Sequence, residues 1–162
     1  MGNLSDFFSA GSESILVQAK RSELLSRVTI SGSTPVEILT CSITPQFSDS
    51  ILEITGVFCH TNTYVMSWGI YKDNSPLYSI SPNNNDSGLQ HTSYEGLTTS
   101  QTGYLVTVPF AAYATAGSTS QQTFALRATC SWSTATYTAY AGDRGSNDMR
   151  SKTFLFIKEI RP

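Results

Sequence analysis

Strict alternation of apolar and polar residues is the feature of this sequence that most limits its fold. Between Gln122 and Trp132, apolar side chains occupy every second position: Phe124, Leu126, Ala128, Cys130 and Trp132. Successive side chains of a β-strand point to opposite faces, so this period of two predicts a strand with one face in a core.

The same alternation recurs along much of the chain. Residues 36–43 alternate with a slip near Leu39, which predicts a β-bulge. Residues 51–59 and 64–72 are apolar at both parities in places, as is typical of strands covered on both faces. The closing run, residues 153–160, alternates again.

Residues 13–27 fit either a short helix or two strand segments. We favour strands because β-branched residues continue through Val28 and Ile30 and no capping box precedes the run. Clusters of Gly, Pro, Asn, Asp and Ser separate the patterned runs, for example at residues 72–76. Eight to ten short antiparallel strands without a long helix predict an all-β sandwich or barrel.

The chain has the length of one domain, and we expect a short arm before it. Residues 13–162 carry the strand pattern and form the predicted domain. A chain of 162 residues is long enough to bury one hydrophobic core. Residues 1–12 are rich in Gly and Ser but contain Leu4, Phe7 and Phe8, which predict a docking arm.

Composition excludes some partners. The net charge is −2 and only 14% of residues are charged, so a basic surface for nucleic acid is not expected. No apolar run is long enough to span a bilayer, so we expect no membrane insertion. Cys41, Cys59 and Cys130 each fall inside an apolar run, which predicts buried thiols.

Catalytic chemistry is poorly represented. His60 and His91 are the only histidines, and neither lies in a known nucleophile motif. Glu37 and Glu53 could form an acid pair, but the alternation predicts that both face solvent. We therefore expect no enzyme, no metal and no cofactor, and a polysaccharide-degrading enzyme is the last of three functional classes.

Aromatic residues indicate two kinds of contact. Residues 81–102 form the longest weakly patterned stretch and predict a long loop of a kind that is often functional. Aromatic rings and amides in loops could bind a host surface glycan: Tyr78, Asn83, His91, Tyr94 and Tyr104. Core or interface packing of these tyrosines is the alternative. Aromatic strand residues exceed what one small sandwich must cover, which predicts a trimer interface at Tyr113, Phe124, Tyr137 and Tyr140.

Three segments carry a resemblance to a known family. They are Ser42-Ile43-Thr44-Pro45 with the following Ser50-Ile51-Leu52-Glu53-Ile54, the opening Ile15-Leu16-Val17-Gln18-Ala19, and the closing residues 153–160. This pattern resembles the knob domains in virion proteins of tailed phages of aquatic bacteria, including tail fibres. Such domains are similar to the trimeric jelly-roll heads of the tumour-necrosis-factor and complement type.

The resemblance implies a jelly-roll β-sandwich that forms a homotrimer on the surface of a phage virion. The implied function is a short tail-fibre or appendage knob contacting the baseplate or the host surface, since only about a dozen residues precede the domain. A capsid decoration (cement) protein that stabilises the shell is the alternative. Residues 83–102 have no counterpart in the resemblance, so a ligand there rests on the residues alone.

Overall fold

The computed structural model describes residues 14–61, 66–77, 90–92, 105–132, 135–136, 138–142 and 152–161. These residues contain eleven strands and no helix, which confirms the predicted all-β class. The strands are β1 (Ile15–Glu23), β2 (Val28–Ile43), β3 (Ile51–Thr61), β4 (Met66–Lys72), β5 (Ser75–Pro76), β6 (Gln90–Thr92), β7 (Leu105–Thr115), β8 (Gln122–Trp132), β9 (Ala135–Thr136), β10 (Thr138–Ala141) and β11 (Phe154–Arg161).

The strands pair antiparallel throughout the described chain and fall into two groups. β1, β11, β3 and β7 lie side by side in that order, and we call them the front strands. The second half of β2, β8 and β4 form the back strands, with β5 and β6 both paired to β4. The short strand β9 pairs with β8.

One long strand joins the two groups. The first residues of β2 pair with β10, which also meets the end of β3 at His60, whereas the rest of β2 pairs with β8. The change of partner occurs at Gly32, whose φ of 79° is in the left-handed region that glycine tolerates. An irregular register between Gly32 and Val36 accompanies it.

Front and back strands pack face to face through one core. The ring of Trp68 on β4 lies 5.7 Å from Phe58 on β3 and 5.3 Å from Phe110 on β7, measured between centroids. Aliphatic residues of both groups are fully buried around these rings, among them Ile54, Leu126 and Ile157. Because aromatic and branched side chains from both groups interdigitate, the two groups bury their apolar surface together.

A close approach between strands explains Gly56 on β3. A Cβ atom at this position would lie 2.3 Å from the Phe154 carbonyl oxygen and 2.5 Å from Phe110 Cζ. The absence of a side chain lets the Phe110 ring lie against β3 and reach the core. Gly56 is therefore required by packing within the front strands.

Several local predictions are confirmed. β1 forms within residues 13–27 as a strand, and the register of β2 shifts between Glu37 and Leu39, where a bulge was predicted. Asp73 and Asn74 form the β4–β5 turn with φ of 49° and 67°, the conformation of a tight hairpin. The three cysteines are buried and form no disulfide.

One strand lies where a loop was predicted. β6 falls within the weakly patterned stretch around residues 81–102, and its backbone pairs with residues 66–68 of β4. Alternation could not identify a strand of three residues, because such a short segment is specified by its neighbour β4 and not by its own pattern.

Candidate interaction surface

The outward positions of the front strands form one continuous surface, which we call the open face. Cross-strand pairing arranges its residues in four rows, and each residue is exposed or partly exposed. Read from β1 to β7, the rows are Leu16, Ile160, Ile51 and Thr115; Ala19, Lys158, Glu53 and Tyr113; Arg21, Phe156, Thr55 and Ala111; and Glu23, Phe154, Val57 and Pro109.

Large apolar side chains occupy one end of the open face. Leu16 is 58% exposed and Ile51 is 40% exposed, and Ile160 lies between them on β11. Tyr113, in the next row, is 58% exposed. Single exposed apolar residues are ordinary, but adjacent ones on neighbouring strands form a patch typical of contact surfaces.

The charges of the open face are paired within it. Lys158 Nζ lies 2.7 Å from Glu53 Oε2, and the Tyr113 hydroxyl lies 3.5 Å from the other oxygen of the same carboxylate. Arg21 is paired with Glu23 on β1. The four charged residues sum to zero, so the face as a whole carries no net charge.

Cations also lie over the aromatic rings of β11. Arg21 Cζ is 4.7 Å from the centroid of the Phe154 ring, and Lys158 Nζ is 5.6 Å from that of Phe156. Such contacts are worth about 0.5–1 kcal/mol at exposed sites.

The back strands differ, since outward positions at the centre of β4 and β8 are covered, although Glu37 and Ser42 on β2 are exposed. Ser67, Tyr71, Ala125 and Thr129 point away from the core by alternation, yet all are buried. The Arg127 side chain contributes to this cover, because its Cζ lies 4.7 Å from the Tyr71 ring centroid. In the part of the chain that the structure describes, the open face is therefore the more accessible of the two sheet surfaces.

The edges of the front strands resist pairing with another chain. β7 carries Pro109, which has no N–H to donate, in the middle of the strand. β1 has an irregular register between Leu16 and Gln18 and carries Lys20 and Arg21. Charges, proline and bulges on edge strands are features that oppose edge-to-edge association.

A buried carboxylate lies on the inner side of β11. Glu159 shares the inward parity of Leu155 and Ile157 and is fully buried. Its oxygens accept hydrogen bonds from the backbone N–H groups of Gln46 at 2.9 Å and of Phe47 at 3.0 Å. The carboxylate thus fixes the turn between β2 and β3 to the last strand.

The electrostatics of Glu159 follow from these contacts. Burial raises the pKa of the carboxyl, but hydrogen bonds from Gln18 and from the amides of Gln46 and Phe47 outweigh this effect, so the pKa lies below its usual value. Glu159 is therefore charged at neutral pH. Alternation placed it inward, and this was the signal by which the sequence could have identified it.

His60 is the second buried titratable group. Burial lowers its pKa, although a contact with the Thr61 carbonyl oxygen, 2.8 Å from Nδ1, opposes the effect. Its ring packs 4.8 Å from that of Phe58, between centroids. Nε2 has no hydrogen-bond partner among the described residues, and the neutral ring acts as part of the core.

The predicted interface residues do not share one position. Tyr113 lies on the open face, and Tyr140 on β10 is partly buried beneath Arg27 at an outward position. Phe124 is fully buried in the core of its own chain, so it offers no surface to a second chain and the prediction was wrong for this residue. Tyr137 lies outside the described residues.

Other predicted sites lie mostly outside the described part of the chain. This applies to the arm residues Leu4, Phe7 and Phe8 and to the glycan candidates Tyr78, Asn83, Tyr94 and Tyr104. Of that second group, the backbone of His91 is described, as the middle residue of β6.

The carboxylates considered for catalysis are not brought together. Glu37 pairs with Arg127 on the back strands, whereas Glu53 pairs with Lys158 on the open face. Within the described residues, no cluster of three or more His, Cys, Asp or Glu side chains could hold a metal ion. The same part of the chain contains no helix that could cross a bilayer.

Within the described residues, these features define an antiparallel all-β protein with an accessible sheet face that carries no net charge. Comparison with known proteins adds no family to this description: no protein-family model matches the chain, and no curated protein matches it.

Proposed function

We propose that this chain is a structural subunit of a bacteriophage particle, a homotrimeric jelly-roll knob of a short tail fibre or appendage. The knob contacts the baseplate or the host surface, and its function is binding and assembly, without catalysis. The single observation that carries the proposal is the order in which the strands pair.

The pairing is nested, as in a ribbon of two antiparallel chains rolled into a barrel. β1 pairs with β11, β2 with β8, β3 with β7 and β4 with β6, so the first strand lies beside the last. Rolling then adds the contacts of β11 with β3 and of β8 with β4. A jelly roll is built this way, and the fold is common in viral capsid proteins and lectins.

The segments that carry the phage resemblance are neighbours in this fold. Residues 15–19 on β1 pair with β11, and β11 pairs with residues 51–54 on β3. The turn that follows Pro45 is bonded to the same strand through Glu159. Because the three segments pair with one another, their resemblance to the phage knob domains can be interpreted as one structural motif and not as three unrelated short matches.

The surface also fits a protein partner. The open face is neutral and partly apolar, which suits contacts between protein subunits better than binding of a phosphate backbone. The carboxylates Glu37 and Glu53 are engaged in ion pairs on different surfaces. Their separation supports a non-catalytic role over polysaccharide cleavage.

Mass spectrometry of gradient-purified phage particles tests the proposal. We expect peptides of this chain at a fixed, stoichiometric ratio to the major capsid protein, retained after a high-salt wash. Absence of the chain from purified particles would contradict a virion role. Electron micrographs of particles carrying a gold label on this chain then show its position on the particle. Label at the tail supports the appendage, and label over the shell supports a capsid decoration protein.

A further inference from the structure

We infer that one buried water molecule joins His60 Nε2 and Trp68 Nε1 inside the core, where it donates a hydrogen bond to the first atom and accepts one from the second. The inference names an internal binding site and does not depend on the proposed virion function. It follows from three observations: the two rings contact the same side chain, their unpartnered nitrogens form a complementary pair, and both nitrogens are buried.

The two rings enter one region of the core from opposite groups of strands. His60 has the inward parity of Ile54 and Phe58 on the front strand β3, and Trp68 lies on the back strand β4. The Phe58 centroid lies 4.8 Å from that of His60 and 5.7 Å from that of Trp68. Both His60 and Trp68 are 1% exposed, so bulk solvent does not reach either ring.

The contact with Thr61 determines which nitrogen of His60 carries the proton. Nδ1 lies 2.8 Å from the Thr61 carbonyl oxygen, and because a carbonyl oxygen only accepts, Nδ1–H is the donor. Burial lowers the pKa of His60, so the ring is neutral at pH 7 and holds a single proton. Nε2 therefore presents a lone pair that needs a donor, and none of the described residues supplies one.

Trp68 has the opposite requirement. Its indole Nε1–H can only donate, and no acceptor among the residues that the structure describes is bonded to it. The two nitrogens complement one another, yet no direct hydrogen bond joins them. A bridging group must therefore accept from the indole and donate to the imidazole at the same time. Water does both, whereas a metal cation cannot accept and a halide anion cannot donate.

Burial makes this bridge favourable. A buried donor or acceptor without a partner costs more free energy than an ordinary hydrogen bond contributes, and here the cost would arise at both nitrogens. The entropy lost by one immobilised water is smaller than the combined cost of two such groups. Buried waters of globular proteins occupy sites of this kind, with about two to four hydrogen bonds each.

A crystal structure of the full chain that resolves ordered water tests the site. We expect one density peak within about 3.2 Å of both His60 Nε2 and Trp68 Nε1. His60→Phe removes the acceptor and keeps a ring beside Phe58, so its crystals should lack the peak. The control Ile157→Val removes one methyl group from a buried residue of β11 and should retain the peak. No peak in the wild type, a direct bond between the two rings, or a peak that persists in His60→Phe overturns the inference.

NMR on the ¹⁵N-labelled full chain tests the same site in solution and does not depend on crystals of a variant. The indole proton of Trp68, assigned by its loss in Trp68→Phe, should show cross-peaks to water of opposite sign in NOESY and ROESY spectra. That sign change marks contact with a long-lived water and distinguishes it from proton exchange. Long-range ¹H–¹⁵N spectra at pH 7 should show His60 protonated at Nδ1 and bare at Nε2. An Nε2-protonated ring, or an indole proton without contact to water, overturns the bridge.

Discussion

Gln18 and Glu159 are separated by 141 positions in the chain, yet Gln18 Nε2 donates a 2.6 Å hydrogen bond to Glu159 Oε2. The same side-chain amide donates to the Thr44 carbonyl oxygen at 2.7 Å. Together with the amides of Gln46 and Phe47, this network joins β1, β11 and the β2–β3 turn. Its centre is a single buried carboxylate that accepts hydrogen bonds from three N–H donors, those of Gln18, Gln46 and Phe47.

Glu159→Gln should therefore destabilise the protein. The glutamine keeps the volume but presents an NH₂ group to N–H donors, which leaves buried donors unsatisfied. We expect a loss of about 2–4 kcal/mol in the free energy of unfolding, measured by urea denaturation at pH 7. The control Glu37→Gln removes an exposed ion pair with Arg127 and should cost less than about 1 kcal/mol. Equal losses in the two variants would contradict a special role for Glu159.

Stability should depend on Glu159 at acid pH in a defined direction. The pKa of Glu159 in the folded chain is lowered below its usual value of 4.5. The folded state thus favours the charged form, so the stabilisation is fully present above the unfolded pKa and is lost as pH falls through the folded pKa. The difference in unfolding free energy between wild type and Glu159→Gln should be constant from pH 7 to 5 and shrink below pH 4.5. A constant difference down to pH 3 would refute this.

His60 should affect the unfolding free energy in a separate and less acidic pH range than Glu159. Its pKa is lowered in the folded chain from the usual 6.5, so the unfolded chain takes up a proton first as pH falls. Wild-type stability should decrease below pH 6.5 by at most about 1.4 kcal/mol per pH unit. His60→Phe keeps a ring beside Phe58 and should lack this decrease between pH 7 and 5. Parallel pH profiles for the two proteins would show that His60 does not contribute.

Gly56→Ala should destabilise the chain by about 1–3 kcal/mol, because the added methyl group overlaps the Phe154 carbonyl oxygen and the Phe110 ring. Thermal and urea denaturation measure the effect. The double variant Gly56→Ala/Phe110→Leu distinguishes the two overlaps. It should not recover the lost stability, since the Phe154 oxygen belongs to the paired backbone of β11 and cannot move aside. Full recovery would assign the clash to the ring alone.

Much of the fold could be predicted from alternation alone. The inward residues of β8, Leu126 among them, and the bulge beside Leu39 follow from a period of two, since a buried face demands apolar side chains at every second position. The β4–β5 turn followed from Asp73 and Asn74, which tolerate the left-handed conformation. These features depend on residues that are close in sequence and not on which strands pair.

The interaction surface was less predictable, because it depends on which strands become neighbours. Tyr113 was predicted as an interface residue, and its exposure on the open face is compatible with this, but its row partners Lys158 and Glu53 could be assigned only from the pairing of β11, β3 and β7. Phe124 was misplaced because an aromatic residue in a strand reads the same whether its face meets its own core or another chain. Alternation gives parity, not the identity of what covers a face.

The change of partner along β2 has a consequence for how the molecule unfolds. β2 has 16 residues and pairs first with β10, which meets the front strands, and then with β8 of the back strands. The front and back strands therefore cannot separate while β2 keeps its hydrogen bonds. Unfolding of β2 would separate the front strands from the back strands in one step. Amide hydrogen exchange should therefore report a single cooperative opening for β3 and β8. The two groups of strands, which β2 connects at Gly32, then unfold together as one cooperative unit.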